Sequence, residues 1–542
     1  KLTEVCCEMA CAPSDFFAAA TQVSKDVTDP QKRRTLLQGN AFPAASLALH
    51  CFVHSLSSRW GIAIPENLSA AQPAGVAGEG SLPVLSDAAA WKDQEVVESC
   101  TVVCRLMRNL CVHAEDDLEM FRSFGVIRML LSIAHLACQG SGSRQCDAEF
   151  VSKLAIASLQ AIGNSLVSSA ANQKEVWQLG WPEPLTTACG LSEGELARGG
   201  IVGMIAYNCL RTNAERAAEF ARSEPGGVLV RELLRCTYSR VEVEDEKEKK
   251  LRQDISVWTE LIVTLLIEKA DLPAVHGRLS TLPADSRTEK VDTETLFFYF
   301  LEDAMSENKG TSHGECDALK LNNAACAYLA TEFGLLLSIC LEKRREEAEK
   351  NTAKTIAKLV QLLQVLASAT ASNEDPAART AMRESGLVRN VISLLQSLTV
   401  AGKRNPTQEL EAQKGLKRDL VRVIGNMCYD DRVCQDLVRE LGGIPLVLAS
   451  TAIDDNNPYS REWGVWAIRN LCENNLENQA VIDGLKAQKV TSAPQEMLDK
   501  GIRPEIDPAT GKVRLNRDAM SQGPAGTMNG MGGMMGAMGA MG

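Results

Sequence analysis

An all-α, right-handed solenoid is the fold class this 542-residue sequence predicts. Three observations predict it. A short phrase returns at an interval of 44 residues, its apolar residues recur at helical spacing, and residues that start and stop helices punctuate each copy. Composition agrees. Hydrophobic residues make up 45% and aromatics only 5%, a balance that favours helices over sandwiches or barrels.

The clearest copies are C-terminal. Ile424-Gly425-Asn426-Met427-Cys428 aligns without gaps on Ile468-Arg469-Asn470-Leu471-Cys472, and the same offset carries Gln435, Leu437 and Val438 onto Gln479, Val481 and Ile482. Ile162-Gly163-Asn164 returns as Ala206-Tyr207-Asn208, again 44 on, and Arg108-Asn109-Leu110-Cys111 reproduces Arg469-Asn470-Leu471-Cys472. A Gln follows Asn164, Asn426 and Asn470 by nine residues, and a Gly follows Asn109, Asn164 and Asn426 by 16. Asn457-Pro458 reads as a helix start, with Asn as cap and Pro at the first helical position. Val465, Ile468, Leu471 and Cys472 form its apolar stripe. Asn474-Asn475 stops that helix, and Glu477-Asn478 restarts one. A short helix through 435–440, a Gly442-Gly443 corner with Pro445, and a longer pair make a three-helix unit, the armadillo pattern rather than the two-helix HEAT one. One such unit cannot bury its apolar face alone, so copies must stack.

The chain divides accordingly. Residues 1–240 carry N-terminal armadillo-like repeats. Residues 241–400 carry degenerate helical repeats with the charge run 241–254, read as a solvated helix or loop. Helices are expected near 258–270, 294–305, 322–341 and 352–369. The C-terminal repeats occupy 401–500. Residues 501–518 alternate and hold a Pro-Ala-Thr-Gly turn, read as a small hairpin cap. The Gly/Met-rich tail 519–542 reads as a flexible or partner-docking segment. Loops are expected at 73–87, 139–145 and 401–413.

Residues 416–490 resemble the C-terminal domain of the ataxin-10 family. The resemblance rests on Lys417-Arg418-Asp419-Leu420-Val421-Arg422-Val423-Ile424-Gly425-Asn426, Gly443-Ile444-Pro445-Leu446, Asp454-Asp455-Asn456-Asn457-Pro458, and Glu462-Trp463 with Ala467-Ile468-Arg469-Asn470-Leu471. Arg108-Asn109 and Ile162-Gly163-Asn164 with Trp177 continue it in the N-terminal half. The resemblance implies an armadillo-like fold, no enzymatic activity and a cytoplasmic scaffold. Family members are associated with cytokinesis, centrosome, basal-body or ciliary sites, and neuronal survival.

The candidate site is the asparagine ladder with its neighbouring Trp: Asn109, Asn164, Asn208, Asn426, Trp466 and Asn470. In peptide-binding armadillo proteins, Asn on the third helix bonds an extended peptide's backbone, and a Trp four residues earlier packs its side chains. Here only Trp466 precedes its Asn by four. Arg105, Gln160, Met204 and Arg422 stand at that position elsewhere. The competing reading is that these Asn bond backbone in the neighbouring repeat, as buried polar groups must. Partners are therefore other proteins, met through a concave groove or the convex face, with self-association left open. The alternatives are a peptide-gripping transport adaptor of the importin or catenin type and a structural subunit of a cytoskeletal or ciliary complex.

Other chemistries lack their residues. Net charge is −12, against the field of a nucleic-acid binder. No phosphate-loop, zinc-protease or dinucleotide motif occurs, so no catalytic, cofactor or metal site is expected. His50 with His54, and His313 with Cys316, lack further ligands at metal spacing. Asp116-Asp117 and Asp430-Asp431 read as helix caps. The 18 cysteines include Cys6, Cys7 and Cys11 but no C-x-x-C pair, so reduced thiols and a cytoplasmic location are expected. The apolar run 261–267 has seven residues against the about 20 of a membrane-spanning helix.

Overall fold

The computed structural model describes residues 20–23, 41–68, 92–111, 118–139, 146–190, 195–238, 244–283, 291–306, 318–342, 349–371, 376–400, 413–452, 454–485, 498–499, 502–511 and 513–517, and everything below concerns these. The expectations for Cys6, Cys7, Cys11, Asp116-Asp117, His313 with Cys316, the loop 73–87 and the tail 519–542 fall outside them.

The fold is an all-α solenoid. Helices α1 (Ala41–Trp60) and α2 (Asp93–Leu110) open it. Three triplets follow: α3 (Glu119–Ser123), α4 (Val126–Gln139) and α5 (Ala148–Leu166); α6 (Ala170–Gly180), α7 (Leu185–Cys189) and α8 (Leu196–Leu210); α9 (Ala214–Arg222), α10 (Glu224–Tyr238) and α11 (Glu246–Lys269). The third helices α2, α5, α8 and α11 pack side by side in chain order. Most of the charge run belongs to the first turns of the 24-residue α11, whose Asp245 cap accepts the Lys247 amide hydrogen at 3.0 Å.

The middle comprises α12 (Leu272–Thr281), α13 (Thr293–Ala304), α14 (Asn323–Glu342) and α15 (Glu349–Ala371). Here α13 packs on α10, the second helix of the triplet behind it, and on α15 ahead, so it joins the N-terminal triplets to the C-terminal ones. By length and composition α14 matches a membrane span, with mean hydropathy 1.8 over 323–341. It packs against α15 and also meets α16 (Pro376–Glu384) and α17 (Leu387–Val400), while Leu335 and Ile339 on it stay exposed. The chain then returns to triplets. Helix α18 (Leu416–Met427) completes the one begun by α16 and α17. Helices α19 (Arg432–Glu440), α20 (Gly443–Ala449) and α21 (Ser460–Cys472) form the next, and α22 (Leu476–Gly484) follows.

The triplets share a grammar measured from the asparagine. Five residues on, a side chain caps the next first helix. Ser169, Asn213, Asp431 and Asn475 accept the amide hydrogens of Asn172, Arg216, Cys434 and Asn478 at 2.9–3.2 Å. Sixteen residues on, Gly125 and Gly442 turn the chain into the second helix with φ of +66° and +70°, which a side chain would strain. Asn457 does not cap its own helix, which starts at Ser460 behind Tyr459. Its Oδ1 accepts the Lys417 amide hydrogen at 2.9 Å, so it caps α18 from 40 residues away.

Two strands close the described chain. Strand β1 (Ile502–Ile506) pairs antiparallel with β2 (Val513–Arg517), Pro504 opposite Leu515. The 507–511 turn is fixed by the Asp507 carbonyl accepting the Gly511 amide hydrogen at 2.8 Å. Gly511 and Val513 face α22 across a cavity of about 800 Å³ whose walls include Cys472, Leu476, Ile482 and Leu485.

Candidate interaction surface

The asparagines bond along the stack. Asn470 Nδ2 donates to the Gly425 carbonyl at 2.9 Å. Asn164 Nδ2 donates to the Arg108 carbonyl at 3.2 Å. Asn426 Nδ2 reaches the Ala367 carbonyl at 3.3 Å and Thr370 Oγ1 at 3.2 Å. Each bond ties a third helix to the one before it. Asn208 departs, donating to Met204 in its own helix at 3.0 Å. Asn109, on the first helix of this stack, accepts from Arg108 Nε at 3.1 Å. Asn208 and Asn470 are buried, at 7% and 1% exposure. These two therefore present no surface to a partner, a correction to their place among the groove candidates. Asn109, Asn164 and Asn426 keep partial exposure.

The residue before the asparagine explains the Ile-Gly-Asn motif. A Cβ on Gly163 would lie 2.2 Å from the Met204 methyl, and one on Gly425 would lie 3.3 Å from the Ala467 Cα. The glycine is where the following third helix crosses, the asparagine bonds the preceding one, and Ile162 and Ile424 fill the core.

The glutamine nine residues on has its own target. Gln173, Gln435 and Gln479 donate Nε2 hydrogens to the carbonyls of Leu166, Cys428 and Cys472 at 2.8–3.3 Å. These carbonyls close the third helices, where no intrahelical donor remains. Asn172 and Asn478 do the same for Ser165 and Leu471 at 2.9 and 2.7 Å. Sequence reading missed this pair, although both stand eight residues after the ladder asparagine. It also missed Arg379, whose Nη1 donates to the Tyr429 carbonyl at 2.7 Å.

What faces outward on α21 differs from the expected stripe. Its buried face is Ser460, Gly464, Ala467, Asn470 and Leu471. Val465 is exposed and Ile468 only half-buried, because no further third helix packs on α21 among the described residues. Trp466 is 42% exposed, with the Arg469 guanidinium 5.2 Å from its ring centroid. Trp463 is half-buried against the preceding helix, where Arg422 lies 5.4 Å over its ring. Burial, partly offset by Asp419, pushes the Arg422 guanidinium below its ordinary value.

The titratable groups that cluster do so inside the stack. His276 Nδ1 lies 2.7 Å from the Tyr328 hydroxyl, and its Nε2 lies 3.4 Å from Glu294. Lys358 bonds Glu294 and stands 3.2 Å from Asp292. The network joins α12, α13, α14 and α15, where the repeat is least regular. Among the described residues, no group of three or more His, Cys, Asp and Glu side chains converges to hold a metal. His50 packs edge-on to His54, ring centroids 4.6 Å apart. The described cysteines are free thiols, most of them buried.

Comparison with known proteins supplies the last observation. The family described as Spinocerebellar ataxia type 10 protein domain matches residues 416–516. The ataxin-10 homolog of Dictyostelium discoideum is 48% identical over 96 residues, covering 18% of this chain and 16% of that protein. Bos taurus ataxin-10 is 26% identical over 405 residues, 72% of this chain and 76% of that protein. Homo sapiens ataxin-10 is 39% identical over 120 residues, 20% of this chain and 25% of that protein. Among solved structures, a chain from a study of the cadherin and β-catenin interaction shares 13% identity with a TM-score of 0.29, over 82% of this chain and 68% of that one.

Proposed function

We propose that this chain, which belongs to the ataxin-10 family, is a non-enzymatic interaction scaffold whose C-terminal third-helix face docks protein partners. The exposure of Trp466 carries this reading. A large amphipathic ring left on the surface of the most regular repeats is the side chain that gains most on burial. The family resemblance supports cytoplasmic assemblies as its setting, at cell-division, centrosome or basal-body sites. A transport adaptor is the weaker alternative. It needs a Trp–Asn pair open to a peptide, and the one pair at that spacing has a buried Asn470.

Affinity capture with the full chain and with Trp466→Ala tests the reading. Partners lost from the substituted chain, at unchanged thermal stability, support it. An identical partner set for both chains rejects the C-terminal face.

A further inference from the structure

A second surface lies on the N-terminal stack of third helices, separate from Trp466 and independent of it. Its track is continuous from α2 to α11. Arg108 Nη1 donates to Gln160 Oε1 at 2.8 Å. One turn on, Met204 of α8 lies across the bare backbone of Gly163. Trp258 of α11 lies across Gly203, whose Cβ would stand 3.1 Å from the Trp258 Cβ. The Trp258 ring sits 6.0 Å from Tyr207. Tyr207, Trp258 and Leu261 are half-exposed, and Arg105 is exposed.

The two ends of the track differ in chemistry. Among the described residues Arg105 has no hydrogen bond or ion pair, and Arg108 meets no carboxylate. Burial and then the Arg105 charge push the Arg108 guanidinium below its ordinary value. Arg105 and Arg108, one turn apart on α2 and without a carboxylate partner among the described residues, make a local positive field in a chain of net charge −12. At the other end Met204, Tyr207, Trp258 and Leu261 offer apolar and aromatic area. Between them the Nδ2 hydrogens of Asn109 and the Nε2 hydrogens of Gln160 find no acceptor among the described residues, so they are open to a passing backbone carbonyl.

We propose that this track binds an extended segment of a protein partner, with acidic residues over Arg105 and Arg108 and an aromatic or large aliphatic anchor against Tyr207 and Trp258. Four helices at roughly 8–10 Å spacing set the distance at about 24–30 Å. At about 3.3 Å per residue that is about 7–9 residues of extended chain. Charge complementarity selects an acidic occupant and rejects a basic one.

A selection of random 12-residue peptides displayed on phage, against the full-length chain at low salt, tests this. Enriched sequences are then measured as fluorescein peptides by anisotropy. Enrichment of an Asp/Glu cluster about 6–8 residues from an aromatic or Leu is expected, in either chain direction. Binding should fall at least about tenfold with Arg105→Glu and weaken as salt is raised, but persist in Trp466→Ala. Arg105 is exposed and bonds nothing among the described residues, so thermal unfolding of Arg105→Glu should match the parent. No enrichment, enrichment of basic or neutral peptides, or binding indifferent to Arg105→Glu would overturn the proposal. None of these results bears on the C-terminal face.

Discussion

Asn470 donates its side-chain amide hydrogen to the carbonyl oxygen of Gly425 at 2.9 Å, 45 residues back in the chain. Gly425 lies in the last turn of α18, where carbonyls lose their intrahelical partners. The bond therefore caps one third helix with the side chain of the next. Asn164 and Asn426 likewise reach carbonyls near the end of the preceding third helix, so three of the five ladder asparagines work across the repeat interface, while Asn109 and Asn208 do not.

The first prediction follows from that bond. Asn470→Ala leaves the Gly425 carbonyl buried without this donor and should cost about 1–3 kcal/mol in urea unfolding. Asn470→Asp should cost more, because it sets a carboxylate against a carbonyl in a buried site. A loss below about 0.5 kcal/mol for both would show that water replaces the amide there.

The repeat was legible where its polar capping residues are kept. Asn and Gln at fixed spacing were visible because the carbonyls they bond recur every unit. In the middle the helices near 258–270, 294–305, 322–341 and 352–369 were legible, but the repeat register was not, because other side chains do the same work. Thr370 stands where the asparagine would be, with Arg379 nine residues on and Gly386 sixteen on, at φ +86°. Arg379 reaches the Tyr429 carbonyl as Gln435 reaches Glu473. The distance from Thr370 to Asn426 is 56 residues, not 44, so the offset search passed over it. The surface was harder to read still. Helical spacing marks an apolar stripe but not whether a neighbouring helix covers it, which is why Val465 was placed in the core and lies outside it.

Neighbouring helices also set the second prediction. Ile424 is buried between α18 and its flanking helices, whereas Ile468 is half-exposed on the last third helix. Ile424→Ala should cost about 2–5 kcal/mol and Ile468→Ala roughly half as much, because the cavity opens to solvent. Equal losses in chemical denaturation would mean that Ile468 is covered in solution.

The third concerns acid. Burial alone would raise the Glu294 pKa. The His276 contact and the Lys358 bond and charge outweigh it and hold the carboxyl at about 2, below its ordinary 4.5. A carboxyl depressed by folding stabilises the fold above its unfolded value and loses that contribution as pH falls toward the folded one. Lys358→Met should therefore cost about 1.5–3 kcal/mol at neutral pH. The gap between variant and parent should narrow from pH 4.5 downward and close near pH 2. A gap that stays constant with pH would assign Lys358 a packing role only.

The last prediction separates two tryptophans three residues apart. Trp463 is pinned between its own helix and Arg422 of the preceding one, and it packs on the core. Trp466 points away from that interface, and its charged neighbour, Arg469, is one turn on along the same helix. Removing Trp463 thus deletes an interface contact between α18 and α21 and leaves Arg422, already partly desolvated, with less to cover it. Trp463→Ala should cost about 3 kcal/mol or more. Removing Trp466 deletes mostly water-facing area, and Trp466→Ala should stay within about 0.5–1 kcal/mol of the parent. Fluorescence gives an independent reading. With Trp463 changed to Phe, the remaining ring on α21 should be open to quenching by acrylamide. With Trp466 changed to Phe it should be protected. If the two single-Ala variants unfold at the same denaturant concentration, both rings lie in the interface, and the C-terminal face has no free anchor to offer a partner.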